Sequence, residues 1–134
     1  MSRAAATLRR AIETRLRADR PLCLALGGEG RILDRPHGTA LPVLLHGGWE
    51  ALDYSTATEP GEEHLLVLEI WTGADAQATG LDIAARVVTL LDGAALPLTG
   101  ARLVSLAHTA TRTRREPRSR ACVTAVSLRA VTEG

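Results

Sequence analysis

The chain has 134 residues, of which 46% are hydrophobic, a length that suits a single domain over 1–134 built on one sheet with one or two helices. It has no Phe, one Tyr and two Trp, so Leu, Val, Ile and Ala must fill the core; such side chains bury less area each, and subunit association would add stability. The formal net charge of +1 excludes binding of polyanions by bulk charge, and the use of Arg without Lys reads either as planar recognition of phosphate or carboxylate or as compositional bias.

In chain order, Ser2 can cap a helix over residues 3–19, with Leu8, Ile12 and Leu16 on one face and Arg3, Arg10 and Arg17 on another. The Arg stripe reads as a solvated face supported by an i,i+4 pair, Arg9 to Glu13, or as a surface for an acidic partner. Pro21 starts a break. Residues 22–26 lead to Gly27-Gly28-Glu29-Gly30, which lacks the ending of a nucleotide-binding loop and reads as a turn. Residues 31–34 form a short extended piece closed by Pro36, His37 and Gly38. A strand is expected over 41–49, with Pro42 suiting an edge and Gly47-Gly48 marking a bulge. Residues 53–61 are a polar loop.

Residues 62–71 then form an almost continuous apolar run of strand length. Gly73 marks a change to helical period over 74–91, with Gly93 as a left-handed stop. Ala78, Leu81, Ala85 and Val88 form one row of this helix, and Ile83, Val87 and Leu90 another. Asp75, Thr79, Asp82, Arg86 and Thr89 make its polar stripe, with an expected Asp82 to Arg86 pair. One sheet face cannot cover so much apolar helix surface. A second neighbour is expected, either the first helix or another subunit. After a turn-rich connector over 96–100, residues 102–113 and 120–132 read as two strands joined by a hairpin loop at 114–119. The expected fold is α+β, in the order α-β-β-β-α-β-β, with a mostly antiparallel sheet of four to five strands and two helices on one face.

The residue types for chemistry are sparse. His37, His46, His64 and His108 stand apart from one another and from carboxylates at ligand spacing. Glu62 and Glu63 point to opposite faces of a strand. Ser55, Ser105, Ser119 and Ser127 lack a nucleophile-elbow setting. Cys23 and Cys122 match no metal or redox spacing, and Cys122 is expected to be an inert core thiol. No apolar stretch reaches membrane-spanning length and no signal peptide is visible, so synthesis in the cytoplasm is expected. The chain reads as a non-enzyme. Its most suggestive feature is Arg112, Arg114, Arg115, Arg118 and Arg120 around one hairpin, which suits phosphate or an acidic protein surface. No aromatic is interleaved for base stacking, so any such contact would be independent of base sequence.

Several stretches together resemble a known family. They are Arg31-Ile32-Leu33-Asp34 with Pro36 and Gly38, Leu41-Pro42-Val43, and His64-Leu65-Leu66-Val67-Leu68-Glu69-Ile70-Trp71. Further on come Leu96, Leu98, Gly100-Ala101-Arg102-Leu103-Val104, Arg112, Arg115-Glu116-Pro117 and Leu128-Arg129-Ala130-Val131-Thr132-Glu133. In this colinear order the chain resembles the tail terminator, or tail completion, proteins of siphophage-like phages, prophages and gene transfer agents. It departs from them at Val43 and Leu128, where the family often has aromatics.

The resemblance implies a structural subunit of a hexameric ring at the head-proximal end of a tail tube. Its implied partners are the tail tube protein, the head–tail connector or adaptor, and DNA passing through the lumen without sequence recognition. It implies no membrane, no catalytic residue and no cofactor, and an assembled phage-like particle as the final location. Taken with the resemblance, the candidate assembly surfaces are the five hairpin arginines, the helix row Ile83, Val87 and Leu90, and Asp53 and Tyr54 in the polar loop. Another neck, head–tail joining or tail-tube component, a small Arg-hairpin nucleic-acid-binding module, and an enzyme with a site at a subunit interface are the alternatives.

Overall fold

The computed structural model describes residues 2–28, 31–33 and 40–134. Ser2 starts the first helix, α1 (Arg3–Arg17), by accepting the Ala5 N–H on its hydroxyl at 3.0 Å. Ala5, Leu8, Ile12 and Leu16 make its buried stripe, while Arg3, Arg10 and Arg17 are exposed. Arg9 and Arg17 both pair with Glu13, at 3.7 and 3.0 Å.

A second helix follows, α2 (Arg20–Leu26), which the apolar periodicity does not reveal because seven residues span barely two turns. Its boundaries are nonetheless written in the chain. The Asp19 carboxylate accepts the Leu22 N–H at 3.0 Å, Pro21 sits in the first turn, and Gly27 closes the helix at φ +90°. Strand β1 (Ile32–Leu33) is short. The expected turn residues Glu29 and Gly30, and Asp34, Pro36, His37 and Gly38 after β1, lie outside the described residues.

Strands β2 (Val43–Asp53), β3 (Gly61–Thr72), β4 (Arg102–Arg115) and β5 (Cys122–Glu133) complete one five-stranded sheet in the order β1-β2-β3-β5-β4. All pairings are antiparallel except β1 with β2. The Gly47-Gly48 bulge is where expected, between His46 and Trp49. β2 continues past Trp49 to Asp53, pairing with Glu62, because the bulge re-enters the ladder rather than ending it. In β3, His64, Leu66, Leu68, Ile70 and Thr72 are buried on the helix side. Glu63, Leu65, Val67, Glu69 and Trp71 occupy the opposite face.

The third helix, α3 (Gln77–Leu91), lies over β3, β5 and β4, and α1 and α2 pack beside it. It begins later than expected because residues 74 and 75 form a turn. Gly93 follows it in the left-handed region at φ +72°, and its N–H donates to the Leu106 carbonyl. The core joins Leu8, Ile12 and Leu16 of α1 to Leu66, Leu68 and Ile70 of β3 and to Val87 and Leu91 of α3. The second apolar neighbour that α3 requires is therefore supplied from within the chain. Arg86 does not pair with Asp82 as expected. Its guanidinium forks onto Asp19 at 2.5 and 2.9 Å, a charge-assisted bidentate pair, stronger than an exposed i,i+4 pair along one helix face. Each partner's charged form is favoured: the hydrogen bond from Arg86 holds Asp19 below its ordinary value, and the same bond raises Arg86.

Candidate functional site

Two of the three candidate surfaces are exposed and one is not. Ile83, Val87 and Leu90 are 2%, 0% and 4% exposed, so the expectation that this row forms an assembly surface is corrected. It faces the sheet and the other helices. The second row is the outward one: Ala78, Leu81 and Ala85 are exposed, with Leu81 at 43%. Both rows are apolar, so residue type alone could not choose between them.

The arginine hairpin is brought together as expected, and its members divide by role. Arg115 donates to the Ala74 and Arg120 carbonyls at 2.9 and 3.2 Å, clamping the hairpin to the turn before α3. Arg114 pairs with Glu69 at 3.5 Å and lies 5.9 Å over the Trp71 ring. Arg112, Arg118 and Arg120 are exposed; the side chains of Arg112 and Arg120 have no partner among the described residues, and Arg118 acts on Glu116 through its charge alone. The tip is built on Glu116. Its carboxylate accepts the Ser119 N–H at 2.7 Å, the Ser119 hydroxyl at 2.9 Å and the Arg118 N–H at 3.0 Å. Those bonds, the Ser119 ones foremost, hold its pKa below the ordinary value. Arg120 sits at φ +64°, a left-handed conformation that side chains other than Gly adopt at a cost of about 1 kcal/mol. Sequence reasoning grouped the arginines but missed this anchoring acid; its place, three residues before Ser119 in a turn, was the available signal.

Asp53 and Tyr54 stand at the opposite end of the sheet. Asp53 turns toward its own loop, accepting the Ser55 N–H and hydroxyl at 3.1 and 2.6 Å, which lowers its pKa. Tyr54 is 54% exposed. Arg129 lies 5.7 Å over its ring and pairs with Glu63 on the open sheet face.

Beneath the helices His64 is buried and His46 half-buried. Trp49 Nε1 donates to His64 Nδ1 at 3.2 Å, which places the imidazole proton on Nε2, 3.0 Å from Thr132 Oγ1. His46 Nε2 meets Glu13 at 2.8 Å. Burial lowers both pKa values. These hydrogen bonds fix both side chains within the fold. Among the described residues there is no cluster of three or more His, Cys, Asp or Glu of the kind that holds a metal. A groove of about 630 Å³ runs between α1 and the connector, bordered by Thr7, Arg10, Arg15, Leu96 and Pro97.

Residues 5–133 match the family described as tail completion protein gp17. The chain belongs to that family. This tail completion chain is a tail structural protein, in agreement with the resemblance read from its sequence. It is similar over its full architecture to a chain in the solved structure described as "Virion of native gene transfer agent (GTA) particle". The two are 31% identical with a TM-score of 0.89, over 98% of each chain. No curated protein matches the sequence.

Proposed function

We propose that the protein forms a hexameric ring on the head-proximal end of a tail tube, where it ends tube polymerisation and joins the tail to the head connector. The match of residues 5–133 to the tail completion family carries this reading. The similar chain in the gene transfer agent virion supports a place within an assembled particle. The architecture suits the role, because helices cover one sheet face and leave the other open to neighbours, with charged hairpins at both ends of the sheet. DNA would pass through the lumen without sequence recognition. A net charge of +1 disfavours retention of a polyanion, and the ring nearest the arginine hairpin, Trp71, lies under Arg114 rather than free for base stacking. Joining needs no bond-making step, so the protein acts without catalysis.

The hairpin residues 112–120 and the loop bearing Asp53 and Tyr54 are the docking surfaces in this reading, together with the exposed Leu81 row. Removing the chain from a producing particle should leave filled heads and separate tubes of uncontrolled length. Electron microscopy of the lysate scores this directly. Joined particles with tubes of normal length in its absence would overturn the proposal.

A further inference from the structure

The two long hairpins carry opposite charge. Residues 50–63 hold Glu50, Asp53, Glu59, Glu62 and Glu63 with no arginine, and residues 112–120 hold five arginines with Glu116 alone. Internal partners account for part of each set. Asp53 is held by Ser55, Glu62 by Ser2 and Glu63 by Arg129. Arg114 and Arg115 are engaged as described above. What remains is of one sign at each place. Glu50 and Glu59 on one hairpin, and Arg112, Arg118 and Arg120 on the other, are exposed, and none of these charged groups makes a hydrogen bond or ion pair among the described residues, Arg118 acting on Glu116 through its charge alone.

Topology keeps these groups apart within one molecule. Asp53 pairs with Glu62 at one end of the sheet, whereas Arg115 pairs with Cys122 at the other. The β2–β3 pair lies toward one lateral side and β5–β4 toward the other, so the hairpins occupy diagonal corners. Strands of this length put the two ends roughly 35–40 Å apart. Within one molecule neither set can reach the other, so each is left to solvent or to a neighbouring molecule. The complementary surface is carried by every copy of this chain.

We infer that the arginine hairpin of one copy docks on the acidic hairpin of the next, with Arg112, Arg118 and Arg120 facing Glu50 and Glu59. The inference rests on the ring reading and names the contact that builds the ring. Each copy gives one hairpin and receives the other, which is a heterologous contact and closes into a ring when its rotation divides the circle. A two-fold arrangement of the arginine hairpins would set like charge on like charge and is disfavoured. Because the paired groups are exposed, the contact should weaken as salt rises.

Charge exchange tests the pairing in assembled particles. Arg112→Glu with Arg118→Glu, or Glu50→Arg with Glu59→Arg, should each lower the yield of joined particles by about tenfold or more, because like charges then meet. All four substitutions in one chain should restore most of that yield. Arg120 is left unchanged because of its left-handed backbone. A second measurement does not depend on yield. In a Cys23→Ser background, Glu59→Cys with Arg118→Cys should give, on mild oxidation, a ladder of disulfide-linked copies, and either cysteine alone should stop at dimers. Rings that form normally with both reversals and give no ladder would overturn the inference while leaving the ring reading intact. Joined particles that contain no ring of this chain would overturn both.

Discussion

Gly80 lies in the first turns of α3, where the helix rests on β5, and a methyl group there tests how closely the two layers are fitted. A Cβ at this position would stand 2.7 Å from Thr124 Oγ1 and 3.4 Å from Thr72 Oγ1. Thr124 is fully buried, and its hydroxyl makes no hydrogen bond among the described residues. Two effects oppose each other in Gly80→Ala. Replacing Gly inside a helix gains about 1 kcal/mol of propensity, whereas overpacking a rigid contact costs about 2 kcal/mol. The expected net is a loss of about 1 kcal/mol, or a melting temperature about 3 °C lower. Thr124→Ala alone forfeits a buried methyl, about 1 kcal/mol, but also removes a hydroxyl buried without a partner, worth about as much, so its net effect is close to zero. In the double variant the new methyl occupies the space that Thr124 vacates. Overpacking disappears, the helix gain survives, and the protein is about 1 kcal/mol more stable than wild type, giving a coupling of about 2 kcal/mol. Urea unfolding of the four proteins measures the cycle. If Gly80→Ala alone stabilises, or costs the same in the Thr124→Ala background, the close approach of α3 to β5 is not what fixes glycine here.

Other expectations follow from the same structure. Burial holds His46 and His64 below the histidine value of 6.5, so the unfolded chain takes up protons that the folded chain refuses. Stability is then full above that value and declines as pH falls below it, by up to about 1.4 kcal/mol per pH unit for each histidine. Urea midpoints between about pH 7.5 and 5.5 should show the decline, and His64→Gln should remove part of it; a flat profile would contradict the buried neutral imidazoles. Glu116→Ala removes the acceptor shared by Arg118, Ser119 and the Ser119 hydroxyl. Amide exchange at 118 and 119 should quicken while the centre of β5 is unchanged, and equal exchange in both proteins would deny Glu116 its anchoring role. Leu81→Arg should leave the isolated protein's stability within about 0.5 kcal/mol yet impair particle joining, as seen by thermal melts beside particle counts; a large stability loss would show that the outward row is not free.

Much of this fold could be read from period and punctuation. The run before Gly73 and the rows after it located β3 and α3, and alternation located β4 and β5. The glycine pair placed the bulge in β2. Three things escaped for physical reasons. α2 is too short for a periodic signal, although Asp19, Pro21 and Gly27 marked its start and stop. The orientation of α3 was undetermined because both of its rows are apolar, so Ile83, Val87 and Leu90 were assigned outward when they are core. The Arg86 fork onto Asp19 joins residues far apart in sequence, and local spacing points instead to the nearby Asp82. At the candidate surfaces, the arginine cluster was legible as composition. Its division into clamp, cover and unpaired groups depends on tertiary neighbours such as Ala74 and Trp71, which the chain order does not place beside it.

The internal bonds of Glu116 have a kinetic consequence. A loop that must find its shape at the moment of contact loses freedom then, and association slows or weakens accordingly. Here the carboxylate closes the turn when the chain folds, so Arg118 and Arg120 are presented on a backbone already shaped. The ordering cost falls on folding rather than on docking. A subunit of this kind should meet its partners at a rate set by long-range attraction and orientation, with little further rearrangement after encounter.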